Sequence, residues 1–202
     1  MTRIRWECAV SLAFFVTLSV LATPAPAPSE QATRIVRFVP DTTVRSVREG
    51  KCWTGSIAVS RPDAWRCMIG NEIVDPCFAS ADSKFVVCGP NPAKGDPGFG
   101  LKLTEPLPKS DVQATPSKDG GWLVELADGT LCRPRTDAGW EVQGKLVNYY
   151  CESKQKGRQI DLLEELNTSK PLWTAQKATI ANDDGGPKLL KLQIMGVKTV
   201  WQ

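Results

Sequence analysis

The chain lacks histidine altogether. This absence excludes Ser-His-Asp and Cys-His catalytic sites, His-ligated zinc and His-ligated haem. The formal net charge is only +3, and lysine and arginine form no basic stripe, so we expect no nucleic-acid partner. There is no Cys-x-x-Cys pair and no phosphate-binding glycine loop. We therefore predict neither a metal nor a cofactor.

A long uncharged stretch occurs only near the N-terminus. Arg3 and Arg5 precede an apolar run that ends at Ala22, which is the order of a secretory signal peptide. The run is shorter than the roughly 20 residues of a membrane-spanning helix. We expect a signal peptide over residues 1–22, with a retained anchor as the alternative, and no stable membrane span after cleavage. Residues 23–32, rich in proline and alanine, are predicted to be a disordered linker.

Removal of the predicted leader reduces seven cysteines to six. Those that remain are Cys52, Cys67, Cys77, Cys88, Cys132 and Cys151. An even number behind a secretory signal is typical of a disulfide framework in an oxidising compartment. Six cysteines allow many pairings, but turn residues between neighbours favour pairs of adjacent cysteines. We predict Cys52–Cys67, Cys77–Cys88 and Cys132–Cys151.

Short apolar runs between turn residues predict a mainly β fold with little helix apart from the signal peptide. The clearest pair, residues 122–126 and 130–133, flanks Asp128-Gly129, which is typical of a tight hairpin. Residues 160–166 have partly helical spacing, but the run is short and we favour a hairpin strand. We expect about six to nine short strands in small disulfide-stabilised sheets or hairpins, sandwich- or barrel-like.

Composition divides the mature chain into three parts. An N-terminal cysteine module spans 33–88, a Pro/Gly-rich connection spans 89–121 and a C-terminal β-rich region spans 122–202. Within the connection, residues 99–103 alternate between apolar and other residues and predict an edge strand between the halves. The sequence leaves open whether the two cysteine-bearing halves form one domain or two.

Four short sequence motifs around the cysteines are similar to those of a known protein family. They are CWTGSIAVSRPDAWRCMIGNEIVDPCF at 52–78, VVC at 86–88, DGTLC at 128–132 and YYC at 149–151. From Lys51 to its end the chain resembles an uncharacterised family of secreted bacterial proteins. The resemblance implies an exported scaffold and brings no activity and no site residues with it.

Tryptophan outnumbers tyrosine, seven to two. Indole rings on a β surface can bind sugar rings, although small β domains also bury tryptophan in their cores. Trp53 and Trp65, together with Arg66, lie among charged residues and are the candidates for exposed binding side chains. We predict an exported, secreted or periplasmic binding or interaction protein without catalysis. Its expected partner is a cell-envelope glycan or another secreted protein.

Two other functions stay open. An Asp/Glu-dependent glycan hydrolase needs two carboxyl groups about 5–9.5 Å apart, and Asp63, Glu72 and Asp75 lie within one cysteine module. The same acids could simply cap backbone amides in turns. A secreted inhibitor or effector is the other alternative, and a rigid exposed loop between cysteines would favour it.

Overall fold

The secondary structure is almost entirely β. The structure is a computed structural model that describes residues 31–80, 85–109, 121–183 and 186–202. The predicted signal peptide lies outside these described residues, as does all of the predicted linker except its last two residues. Within the described ranges, helix is confined to one short 3-10 turn, Pro92–Lys94. None of these residues belongs to a helix long and apolar enough to cross a membrane. The mainly β prediction is confirmed.

Thirteen strands follow one another along the described chain. The first half contains β1 (Arg34–Val36), β2 (Val47–Gly55), β3 (Ala64–Ile69), β4 (Glu72–Ala79), β5 (Phe85–Cys88) and β6 (Phe99–Leu103). The second half contains β7 (Leu123–Leu126), β8 (Leu131–Pro134), β9 (Glu141–Val142), β10 (Lys145–Cys151), β11 (Gln159–Asn167), β12 (Thr174–Asp183) and β13 (Gly186–Trp201). The number exceeds the prediction because polar strands such as β2 contain no apolar run.

Strands β2 to β6 form a closed barrel. Antiparallel pairing leads from β2 through β3, β4 and β5 to β6, and β6 closes the barrel by parallel pairing with β2. The prediction of an edge strand at Phe99–Leu103 is wrong, because β6 has a partner on each side. The barrel therefore extends beyond Cys88 into residues that composition assigned to a connection.

The remaining strands form a larger sheet. Its pairings lead from β7 through β8, β10, β11 and β12 to β13, and β13 pairs with β7 as well. Strand β1 lies parallel to the end of β13, with Arg34 opposite Thr199. Asp128-Gly129 joins β7 to β8, as predicted, and residues 160–166 belong to strand β11, as favoured.

All three predicted disulfides are present. Each joins residues that lie directly opposite each other on neighbouring antiparallel strands: Cys52–Cys67 links β2 to β3, Cys77–Cys88 links β4 to β5, and Cys132–Cys151 links β8 to β10. The sulfurs of Cys67, Cys77 and Cys88 lie within 4.8 Å of one another. Two of the disulfides therefore pack together in the core of the barrel.

An aromatic cluster joins the barrel to the larger sheet. Phe38 follows β1, Phe78 belongs to β4 and Trp122 precedes β7, and their ring centroids lie between 4.9 and 5.2 Å apart. The Arg61 guanidinium lies over the Phe78 ring and donates hydrogen bonds to the carbonyl oxygens of Phe38 and Gln202. The two halves thus share one hydrophobic core at their junction.

Phe38→Ala tests this shared core. Loss of the ring leaves a cavity between Phe78 and Trp122, so we expect the free energy of unfolding to fall by about 3–5 kcal/mol. The neighbouring Val39→Ala is the matched control, because Val39 is 76% exposed and its truncation should cost less than about 0.5 kcal/mol. Urea unfolding followed by circular dichroism measures both. Equal losses in the two variants would contradict the shared core.

Candidate functional site

Two β-bulges lie at the same level of the barrel. Cys52 pairs with Cys67 and Thr54 with Arg66, so Trp53 is an extra residue on β2. The pairing of β3 with β4 has a second register shift. It falls at Arg66, between the paired residues Trp65 and Cys67. A bulge changes the direction of a side chain and is often found beside a functional site. Here the bulges place Trp53 and Arg66 next to each other.

Trp53 and Arg66 form an arginine–indole pair on the barrel surface. The Arg66 guanidinium carbon lies 5.8 Å from the centroid of the Trp53 ring, within the range of a cation–π contact. Trp53 is 37% exposed, the most of any tryptophan in the described ranges. Arg66 Nη2 donates to the carbonyl oxygen of Thr136 at 3.0 Å. Its buried Nε has no acceptor among the described residues.

Trp65 does not join this surface. Its side chain is 5% exposed and packs in the barrel core with Cys52 and Cys67. The expectation that Trp65 is exposed is therefore wrong, since the alternation of β3 turns it inward while Arg66 points outward. Trp65 also lines a cavity of about 650 Å³ beside the junction. Sequence alone could not distinguish the two tryptophans, because the bulge depends on pairing between strands.

Asp63 and Glu72 do not form an acid–base pair. Glu72 begins β4, whereas Ala79 at the other end donates its backbone N–H to the carbonyl oxygen of Asp63. Seven residues of strand separate the two ends by roughly 23 Å, well beyond the separation in a glycosidase. Each carboxylate also has its own partner: Arg61 binds Asp63, and Arg48 binds Glu72.

Asp75, the third predicted acid, holds the loop after β2. Its carboxylate accepts hydrogen bonds from the Ser56 hydroxyl and from the backbone N–H of Ile57. Burial raises the pKa of Asp75 above its ordinary value, while these hydrogen bonds and the charge of Arg66 oppose the increase. The alternative interpretation, that such an acid caps backbone amides, fits Asp75.

Asp161 on β11 is a buried acid that the sequence analysis did not single out. Its side chain is fully buried, and its Oδ2 accepts a hydrogen bond of 2.7 Å from Gln159 Nε2. Its Oδ1 has no partner in the described part of the chain. Burial raises the pKa of Asp161 to about 6, although the Gln159 hydrogen bond and the charge of Arg135 act in the opposite direction. The signal in the sequence was one acid within an otherwise apolar run, 160–163.

Comparison with protein-family models, curated proteins and solved structures found no significant match. The resemblance to secreted bacterial proteins therefore stays a prediction. The three disulfides indicate an oxidising, extracytoplasmic environment.

Asp161→Asn tests how much the buried carboxyl lowers the free energy of unfolding once it ionises. In the unfolded chain the carboxyl ionises near pH 3.8, whereas in the fold it stays protonated up to about pH 6. Stability should therefore fall between about pH 4 and pH 6, by up to about 3 kcal/mol, and stay lower above that range. The amide cannot ionise, so the variant should be more stable than the wild type at pH 7–8 and similar to it near pH 4.

Urea unfolding from pH 4 to pH 8 measures this difference. Glu141→Gln is the control, because Glu141 is an exposed acid on β9 of the same sheet. A constant stability difference between Asp161→Asn and the wild type at every pH would contradict the raised pKa.

Proposed function

We propose that this protein is an extracytoplasmic binding protein that recognises an envelope glycan through Trp53 and Arg66. The observation that carries the proposal is the exposed Trp53 ring beside the Arg66 guanidinium on a cross-linked barrel. An indole face packs against the apolar face of a sugar ring, and a guanidinium donates hydrogen bonds to its oxygens. The pair thus offers both kinds of contact that a glycan needs.

The charge of Arg66 favours an acidic glycan. A guanidinium presents a planar fork of N–H donors that matches carboxylate and phosphate groups. Nη2 donates one hydrogen bond to the carbonyl oxygen of Thr136, and Nε is buried, so a ligand at the surface would meet the Nη groups. A sugar carboxylate or phosphate beside Trp53 would therefore accept hydrogen bonds from the Nη groups of Arg66.

The disulfide next to the pair supports binding by a preformed surface. Cys52–Cys67 lies one residue away from Trp53 on β2 and one residue away from Arg66 on β3. It fixes the two strands to each other, so fewer conformations are lost when a ligand binds. We assign no catalytic step to this surface, because Glu72 begins β4 whereas Asp63 lies beside the other end of that strand.

Trp53→Ala should weaken glycan binding roughly tenfold, because the stacking surface is lost. Binding is measured by co-sedimentation with peptidoglycan and by tryptophan fluorescence with lipopolysaccharide and alginate. Arg66→Lys should weaken binding to the acidic polymers in particular, since it keeps the charge and loses the planar fork.

Ile73→Ala is the matched control, because Ile73 is 49% exposed on β4 of the same barrel. It should bind like the wild type. Unchanged binding by Trp53→Ala, or no binding of any of these polymers by the wild type, would refute the proposal. If the protein captures another secreted protein and no glycan, its partner is a protein, which is the alternative that the sequence also allows.

A further inference from the structure

A second, shallow polar groove opens on the larger sheet, and neither Trp53 nor Arg66 lines it. It has a volume of about 440 Å³ and is lined by Arg135, Trp140, Gln159, Asn182 and Pro187. Three regions contribute these residues: the β8–β9 loop, the start of β11, and the β12–β13 hairpin. The groove is shallow and widely open to solvent, so a ligand would lie on it rather than be enclosed by it.

A chain of hydrogen bonds orients the amides of the groove. When ionised, the Asp161 carboxylate only accepts hydrogen bonds, so Gln159 must turn its Nε2 toward it. Gln159 Oε1 then faces Asn182 and accepts a hydrogen bond of 3.3 Å from Asn182 Nδ2. Asn182 is exposed, and its Oδ1 consequently points away from Gln159. The groove therefore offers as acceptors the Asn182 oxygen and the second acceptor site of Gln159 Oε1.

Arg135 and Trp140 form the aromatic part of the groove lining, and the charge of Arg135 is paired. The Arg135 guanidinium lies 5.6 Å from the centroid of the Trp140 ring. Two hydrogen bonds to the Asp137 carboxylate, of 2.9 and 2.6 Å, balance its charge. Trp140 is half-buried and packs against a core cluster that includes Val142 and Leu163, so its ring is held in place. Among the described residues of the groove, a ligand meets an indole, two amides and a guanidinium whose charge is paired.

The buried Asp161 carboxyl does not line the groove itself and is connected to it through Gln159. It is fully buried, and its Oδ1 has no partner among the residues that the structure describes. Leaving a buried polar atom without a partner is unfavourable. The one hydrogen bond that Asp161 accepts comes from Gln159, a residue of the groove wall. The costly carboxyl thus orients a groove residue, which is a pattern typical of binding sites.

We propose that this groove is a subsite for one or two neutral, hydroxyl-rich sugar residues. The sugar hydroxyls donate to the oxygens of Gln159 and Asn182, and the sugar ring lies against Trp140. The inference rests on the proposed function, since it assigns a second subsite to the same glycan-binding protein. The two subsites differ in chemistry, because Arg66 favours an acidic group and this groove favours an uncharged one.

Indole ¹⁵N–¹H spectra of the full chain distinguish the two sites. Trp53→Phe and Trp140→Phe assign the two indole signals, and the probes are maltotetraose, cellotetraose and chitotetraose. We expect at least one of these neutral oligosaccharides to shift the Trp140 signal. Asn182→Ala should weaken that binding about three- to tenfold, because one acceptor is lost. Asn182 is exposed, so the variant keeps the fold.

Gln193→Ala is the matched control, because Gln193 is an exposed amide on β13 outside the groove. It should leave the affinity unchanged. A shift of the Trp140 signal alone supports the groove and counts against Trp53 as a site for these sugars. A shift of the Trp53 signal alone, or equal affinities for Asn182→Ala and Gln193→Ala, overturns the groove and leaves the proposed function standing. No shift of either signal overturns the groove, and the acidic polymers then decide the proposed function separately.

Discussion

The architecture depends on Arg61, whose side chain connects three distant parts of the chain. Its guanidinium is held by Asp63 in its own loop and donates to the carbonyl oxygens of Phe38 and Gln202, which come from opposite ends of the described chain. Only 10% of the side chain is exposed, so these charge-assisted hydrogen bonds form in a poorly hydrated setting, where they are stronger. The barrel and the larger sheet meet at this point and keep a fixed relation to each other.

Because the barrel and the larger sheet are fixed to each other, the two proposed subsites are also held in a fixed arrangement. Arg66 on the barrel donates to the carbonyl oxygen of Thr136, and Arg135, the preceding residue, lines the groove on the larger sheet. One short stretch of backbone therefore contacts both sites. A glycan chain long enough to reach both would gain from two weak contacts at once, because the second contact forms at a high effective concentration.

Short sequence motifs correctly predicted those parts of the fold that involve residues close together in the chain. Asp128-Gly129 indicated the β7–β8 hairpin, and turn residues between neighbouring cysteines indicated the three disulfides, since each interaction lies within about twenty residues of chain. The closure of the barrel by β6 and the burial of Trp65 depend on pairing between distant strands, which no short window contains. Of the two tryptophans expected at the surface, Trp53 is exposed and Trp65 is not, whereas the groove required residues from three regions to meet.

The short disulfide loops and the long-range sheet contacts are expected to form at different times during folding. The disulfides close loops of 11 to 19 residues, whereas the contact between Thr33 and Val197 spans 164 residues. Short loops close quickly and distant β pairing is slow. Oxidation of the cysteine hairpins can therefore precede the assembly of the larger sheet. The cross-links then shorten the conformational search that remains for the rest of the chain.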